Sequence, residues 1–227
     1  MENRTPPYYQ NFSNSHCLQC SLRSALEYFK PEKLWTWKEL EDVSFKREGH
    51  GTWHMGFLSQ LGKHGYDVVC IEDFNLKEFV ASPSEYMKTT QSPESFEYAM
   101  QDMDIAHEVK CSKLLLEAEE QGLAELHYRN STAEDVRHYL KNGYLIVLNV
   151  NSSALWRHEG FTGHFVLIYK LLDENTLLIH DNGGMNGDQP TGMNAMKMEI
   201  DFLIRCGTSG DKTTGFYAIR PKQTKNK

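Results

Sequence analysis

The order of periodic patterns along the chain constrains its fold more than any other feature. The first half has apolar residues at helical spacing, beginning after the cap-forming residues Ser13, Asn14 and Ser15 and first interrupted at Pro31. The second half alternates as strands do, at residues 144–150, 164–170, 176–181 and 215–220. Helices followed by strands predict an α+β fold, in which an N-terminal helical lobe packs on a C-terminal antiparallel β-sheet.

The chain is expected to form a single domain. Its 227 residues are enough for one substantial core. We assign a helical lobe to about residues 8–130, a sheet lobe to about 131–221, and a loose tail to 222–227. The polar segment 94–122 predicts one or two helices that form an insertion or a lid.

Composition narrows the possible partners and the compartment. A formal net charge of −7 disfavours nucleic acid as the main partner. No apolar run approaches the roughly 18 residues of a membrane span, and residues 1–10 lack the apolar stretch of a secretory signal. Five cysteines without an export signal predict reduced thiols and a cytoplasmic location, with export without a leader peptide left open. The oligomeric state is not indicated.

Cys17 is the candidate nucleophile. It lies in the first turn of the first predicted helix, where free N–H groups and the helix dipole stabilise a thiolate. On a helical wheel it lies with Cys20, Ser21 and Ser24 on a strip of small residues, which allows close packing. The alternative is an ordinary buried cysteine.

His164 and Asp181 are the candidate partners of this thiol. His164 begins one predicted strand and Asp181 ends the next, with a turn near residues 173–175. A two- or four-residue turn places both side chains on one face of the sheet, about 5 to 8 Å apart at Cβ. A three-residue turn would instead place His180 beside His164. Taken singly, each residue is also consistent with a structural role.

Several short segments resemble one known family. They are Tyr8-Tyr9-Gln10, Cys17, Ser21-Leu22, Leu26-Glu27-Tyr28-Phe29, Gly163-His164-Phe165-Val166-Leu167-Ile168 and Leu178-Ile179-His180-Asp181. Together they resemble the bacteriocin-processing (double-glycine leader) cysteine peptidase-like family of the papain-like clan. This sequence departs from the family pattern at Leu18, where glycine is common, at Cys20, where a small residue is usual, and at Asn182, where proline is frequent.

The resemblance implies a papain-like fold and a thiol-dependent hydrolase, a cysteine peptidase that cleaves a peptide or isopeptide amide through a thioester. Cys17 would be the nucleophile, His164 the general base and Asp181 the orienting residue. Gln10 would donate a side-chain N–H to the oxyanion, together with the Cys17 backbone N–H. The substrate would be a peptide or protein, and no metal or organic cofactor would be required.

Other interpretations remain open at this point. Cys17 and Cys20 form a Cys-x-x-Cys pair at a helix start, which is also a redox arrangement, although no buried strand precedes it. His50 and His54 are spaced i, i+4 without a matching acid motif, which disfavours a metal site. The same fold could serve acyl or peptidyl transfer, or binding without turnover. The loop 152–162, with Trp156 and Phe161, either forms a wall of the cleft or packs on the core. Cys70, Cys111 and Cys206 are interpreted as structural thiols.

Overall fold

The computed structural model describes residues 4–186, 189–209, 212–213 and 215–223, and over these residues the chain is α+β. The expected tail therefore lies outside the described residues from 224 onward. The helices are α1 (Cys17–Phe29), α2 (Trp37–Ser44), α3 (His54–Lys63), α4 (Leu76–Ala81), α5 (Pro83–Thr90), α6 (Pro93–Asp102), α7 (Ile105–Glu120), α8 (Ala133–Lys141), α9 (Ser152–Leu155) and α10 (Ile200–Cys206). The strands are β1 (Tyr66–Ile71), β2 (Glu125–His127), β3 (Leu145–Asn151), β4 (Gly163–Leu171), β5 (Thr176–Asp181), β6 (Met185–Asn186), β7 (Gln189–Pro190), β8 (Met193–Glu199), β9 (Thr208–Ser209), β10 (Lys212–Thr213) and β11 (Phe216–Pro221).

The main sheet is mixed rather than wholly antiparallel. Its seven strands lie in the order β2-β1-β11-β3-β4-β5-β8. Every neighbouring pair is antiparallel except β1 and β2, which run parallel. The expectation of a purely antiparallel sheet is wrong at this edge, because the long helical connection α4–α7 returns the chain in the same direction, as parallel pairing requires.

Helices cover both faces of the sheet. Leu145 and Val147 of β3 point into a core shared with α1, α3 and α7, whereas Ile146 and Leu148 point into a second core shared with α8 and α10. Successive side chains of a strand point to opposite faces, so a strand buried on both sides carries a continuous apolar run. This burial fixes the register of the central strands.

None of the helices in the described part of the chain has the length and apolar character needed to cross a membrane.

The β4–β5 hairpin has a three-residue loop, contrary to the expected two or four. The Leu172 N–H donates to the carbonyl of Thr176 (2.8 Å), and the Asp173 carboxylate closes the loop by accepting the N–H groups of residues 175 and 176. A register shift between Ile168 and Lys170 then restores the parity that such a loop would break. Val166 consequently pairs with Asp181, which places Asp181 and His164 on the same face, diagonal to each other.

Candidate active site

Cys17 is the first residue of α1, as expected, but its helix is not capped as expected. The residue at the N-cap position is His16, and its side chain makes no capping hydrogen bond. The prediction that residues 13–15 cap the helix is wrong, because this segment folds around Asn11, whose Oδ1 accepts the N–H of His16 (3.1 Å). The first-turn N–H groups thus take no side-chain cap, and the backbone of Leu18 helps to lower the pKa of the thiol.

The strip of small residues on α1 allows the helix to pack closely on β4. Ser21 and Ser24 are fully buried, and the Ser24 hydroxyl donates back to the Cys20 carbonyl (2.9 Å). The Ser21 hydroxyl donates to the carbonyl of Phe165 (3.4 Å), so the helix and the strand touch through a short side chain. This packing brings the backbone of Phe165 beside Cys17, where it helps to lower the pKa of the thiol.

His164 links the thiol to the carboxylate. Its Nε2 lies 2.8 Å from Oδ1 of Asp181, and its imidazole lies close enough to Cys17 to lower the pKa of the thiol. Because Nε2 is bonded to the carboxylate, Nδ1 is the ring nitrogen left for the thiol. His164 and Asp181 are both buried, whereas Cys17 is half-buried and lines a cleft. The structure therefore brings the three predicted residues together, with His164 between Cys17 and Asp181.

The carboxylate of Asp181 is held by two further donors. Its Oδ1 accepts the N–H of Gly183 (2.8 Å), and its Oδ2 accepts Nε1 of Trp156 (3.0 Å). Gly183 has φ of +52°, and a Cβ there would lie 2.1 Å from the backbone nitrogen of Gly192, so the position requires glycine. The sequence analysis missed Trp156 as a partner of Asp181, because a tryptophan in a loop carries no positional signal for the group that it will contact.

The mutual contacts determine the protonation of the triad. Burial disfavours the charged form of each group, but hydrogen bonds and opposite charge outweigh it here. The pKa of Cys17 is lowered by His164 and by backbone N–H groups, despite the opposing effect of burial. Burial also opposes the charge on His164, yet Asp181 and Cys17 raise its pKa, and the pKa of Asp181 is lowered in the same way by His164 and its other donors. These directions favour a thiolate–imidazolium pair at neutral pH.

Gln10 is not placed to donate to an oxyanion, which corrects the expectation from the resemblance. Its Nε2 donates to the carbonyls of Asn182 and Gly184, each at 2.9 Å, which uses both of its N–H groups. Its Oε1 accepts the hydroxyl of Tyr8 (2.9 Å). Gln10 therefore braces the glycine-rich segment that follows Asp181, and the backbone N–H of Cys17 remains the expected donor at this site.

Cys20, the second cysteine of the Cys-x-x-Cys pair, lies in the protein interior. It is fully buried, and its thiol faces the carbonyl of Gln10 at 3.6 Å. Burial raises the pKa of Cys20, and the nearby charge of Cys17 raises it further. Because the Cys20 thiol is directed at this carbonyl, whereas His164 lowers the pKa of Cys17, the contacts favour a pairing of Cys17 with the histidine over the Cys-x-x-Cys interpretation.

The cleft beside Cys17 is small and mostly apolar. Its volume is about 150 Å³, and its apolar lining comprises Trp53, Phe74, Tyr98, Ala99, Phe161 and Phe165. Tyr98 of α6 makes an edge contact with Phe161 (centroids 5.5 Å apart) and lies close to Gly163.

Within the segment 94–122, α6 thus lies over the cleft, whereas α7 packs into the core through Cys111, Leu115 and Ala118. Phe161 lines the cleft and Trp156 binds Asp181, so the loop 152–162 serves the site in two ways.

The fold and the site together define an α+β protein in which a half-buried cysteine, a buried histidine and a buried aspartate lie together beside a small cleft. No family model, curated protein or solved structure matches the chain.

Proposed function

We propose that this protein is a papain-like, thiol-dependent hydrolase, most specifically a cysteine peptidase that cleaves a peptide or isopeptide amide. The observation that carries the proposal is the placement of His164 between Cys17 and a buried carboxylate: its Nε2 lies 2.8 Å from Oδ1 of Asp181, and it lowers the pKa of the Cys17 thiol. A nucleophile beside a base that is held by a third group is the arrangement of covalent acyl transfer. The nucleophile at the start of a helix packed on the sheet that bears the base supports the papain-like assignment, as does the sequence resemblance.

In the proposed reaction, the Cys17 thiolate attacks the carbonyl carbon of the amide. The developing oxyanion is held by the Cys17 backbone N–H, which belongs to the first residue of α1 and has no helical acceptor. The imidazolium of His164 gives its proton to the leaving amine, which breaks the C–N bond and leaves a thioester. His164 then takes a proton from water, and the hydroxide releases the acid and regenerates the thiol.

Transfer to an amine is the alternative outcome of the same intermediate. The thioester can be resolved by water or by an amine, and the triad is required for both. The cleft is small, at about 150 Å³, and Tyr98 of α6 packs against Phe161 in its lining. We therefore propose that a chain end or a short side chain, rather than the middle of a folded segment, enters the site.

A reducing compartment such as the cytoplasm is the proposed location. All five cysteines are free thiols, and four of them are buried. Free cysteines persist where thiols are kept reduced. The proposed mechanism also requires a reduced Cys17.

An activated ester tests the proposal without knowledge of the natural substrate. With p-nitrophenyl acetate, we expect a burst of nitrophenolate, one acetyl group on Cys17 by peptide mapping, and loss of that group with time. His164→Ala should slow the acylation about 100-fold or more, in the range typical of general acid–base catalysis. Cys206→Ser, a change at another buried thiol, is the matched control and should leave the burst unchanged. Equal acetylation in His164→Ala and in the wild type would overturn the proposal, and added glycinamide would separate hydrolysis from transfer by its acetylated product.

A further inference from the structure

Three side chains outside the triad converge on the wall of the cleft. His54 is the first residue of α3, Cys70 lies on β1, and Glu72 follows β1 directly. Their possible ligand atoms all lie within 4.8 Å of one another. Nε2 of His54 is 2.8 Å from Oε2 of Glu72. A residue spacing of two on an extended segment places Cys70 and Glu72 on the same side, toward the helix that carries His54.

The three side chains of this cluster are ionisable, yet all three are largely buried. His54 and Cys70 are 4% and 6% exposed, and the side chain of Glu72 is 12% exposed. Buried ionisable groups are normally paired or coordinate a metal. The ion pair of His54 with Glu72 accounts for two of the three groups but not for the thiol beside them. Imidazole, thiolate and carboxylate together are the ligand types that Zn²⁺ takes in proteins.

A second layer of contacts orients the possible ligands. The ring of Tyr217 stacks on His54, with centroids 4.8 Å apart and an angle of 20° between the planes. Its hydroxyl donates to Oε2 of Glu72 at 3.4 Å. Outer partners of this kind fix the orientation of first ligands in metal sites. Tyr217 is fully buried on β11, so both contacts come from a rigid central strand.

The cluster is also accessible from the cleft. His54 and Glu72 line the same cleft as Cys17, whereas Cys70 lies behind them. Three protein ligands with one side open to a cavity is the pattern of zinc sites that keep a position for water or substrate. The same opening gives an ion a path of entry.

We propose that His54, Cys70 and Glu72 form a binding site for one divalent transition-metal ion, with zinc as the favoured ion, separate from the Cys17 triad. The thiolate and imidazole ligands favour zinc over calcium or magnesium, which prefer oxygen ligands. The open position of the ion would face the cleft, where it could hold a water molecule or a donor atom of a bound substrate. The sequence disfavours His54 as a ligand because the spacing of His50 and His54 carries no matching acid motif. Its partners here, Cys70 and Glu72, are joined to it only by the packing of α3 on β1.

The test uses the full chain with Cys17→Ala in every sample, so that the catalytic thiol binds no metal and failure of the proposed hydrolase cannot affect the result. The protein is dialysed against a chelator and titrated with Co²⁺, then with competing Zn²⁺. We expect one equivalent of Co²⁺ to bind with a thiolate-to-cobalt charge-transfer band in the near ultraviolet, and Zn²⁺ to displace it. Cys70→Ser should abolish the band, and the matched control Cys206→Ser should retain it.

Two further variants distinguish loss of a metal ligand from loss of binding that is caused by misfolding. His54→Gln should weaken Co²⁺ binding at least tenfold while leaving the thiolate band detectable at high Co²⁺. Tyr217→Phe keeps the stacked ring, removes only the hydroxyl, and should weaken binding about 10-fold, in the range for outer partners. Circular dichroism of each variant checks that it is folded.

Two results would overturn the proposal. One is the absence of saturable Co²⁺ and Zn²⁺ binding to the folded Cys17→Ala protein. The other is a thiolate band that persists in Cys70→Ser, or that is lost instead in Cys111→Ser, whose thiol lies 3.6 Å from Nε2 of His107. Either result would leave His54 and Glu72 as a structural ion pair only.

Discussion

Replacing Asp181 by asparagine tests the geometry of the buried carboxylate. Asp181 is fully buried and accepts three hydrogen bonds, so its donors cannot turn to water. In Asp181→Asn, Oδ1 can still accept from His164 and Gly183, but the new NH₂ group faces Nε1 of Trp156, which also donates. A buried donor without an acceptor costs about 1–3 kcal/mol, and loss of the charge weakens the remaining bonds. We expect the variant to lose about 3 kcal/mol of unfolding free energy at pH 7.

A double-mutant cycle isolates the contact with Trp156. Trp156→Phe alone should cost about 1.5–2 kcal/mol, because a hydrogen bond to a charged acceptor is lost. In the double variant the indole N–H no longer opposes the new amide group, so the destabilisation should be about 2 kcal/mol less than the sum of the two single changes. Urea unfolding measures all three, with Asp201→Asn as the control at an exposed aspartate, expected to change stability by no more than about 0.5 kcal/mol. Additivity within about 0.5 kcal/mol would refute the contact.

The cost of Asp181→Asn should also depend on pH. The pKa of Asp181 is lowered in the folded state, because its hydrogen bonds outweigh the effect of burial. The stability that the carboxylate contributes is therefore present above its unfolded pKa of about 4 and is lost as the pH falls through the lower folded value. The wild type and the variant should converge in stability below about pH 4, and a difference that stays constant to pH 2 would contradict this reasoning.

Three further changes separate competing roles in the site. Cys20→Ser should change the alkylation rate of Cys17, measured by mass spectrometry, by less than about twofold, because the Cys20 thiol faces the Gln10 carbonyl. A decrease in that rate of more than about tenfold would favour the redox interpretation. Gln10→Ala should lower the unfolding free energy by about 1–2 kcal/mol through loss of the two hydrogen bonds that Gln10 donates, because the Tyr8 hydroxyl retains the Asp181 carbonyl as an acceptor. A slower acylation at unchanged stability would restore Gln10 as an oxyanion donor. Tyr98→Ala should speed labelling of Cys17 by a bulky maleimide more than by iodoacetamide, since Tyr98 packs across the cleft. Equal effects on both reagents would show that α6 does not restrict entry.

The sequence predicted the elements whose patterns are strong and local. The apolar spacing from Leu18 predicted α1 with Cys17 in its first turn, and the alternation on both sides of residues 173–175 predicted β4 and β5. The shared face of His164 and Asp181 was also predicted, but the turn was not. The three-residue loop is stabilised by the side chain of Asp173, and the register shift near Tyr169 depends on the packing of the whole hairpin.

Other features were beyond the reach of local patterns. β2 is only three residues long and β8 is mostly exposed, so neither carries clear alternation. The roles of Gln10 and Trp156 depend on contacts with residues more than 20 positions away. The cluster of His54 with Cys70 and Glu72 is likewise assembled only by tertiary packing. Such contacts follow from the fold and leave no signal in spacing along the chain.

Site-resolved alkylation of Cys17 by iodoacetamide across pH tests the central claim most directly. The lowered pKa of Cys17 and the raised pKa of His164 define a pH window in which the thiolate–imidazolium pair persists, and reactivity is lost only as the pH falls through the Cys17 pKa. Without His164, the thiol should titrate near its ordinary pKa of about 8.5, which leaves roughly 0.3% thiolate at pH 6. A low-pKa thiolate is intrinsically less nucleophilic, so the net loss in His164→Ala at pH 6 should be about 10- to 100-fold.

The account predicts that Cys17 reacts far faster than Cys70, Cys111 and Cys206 below pH 7, and that His164→Ala removes this advantage. A Cys17 no more reactive than those three thiols, or one whose reactivity is unchanged in His164→Ala, would contradict it.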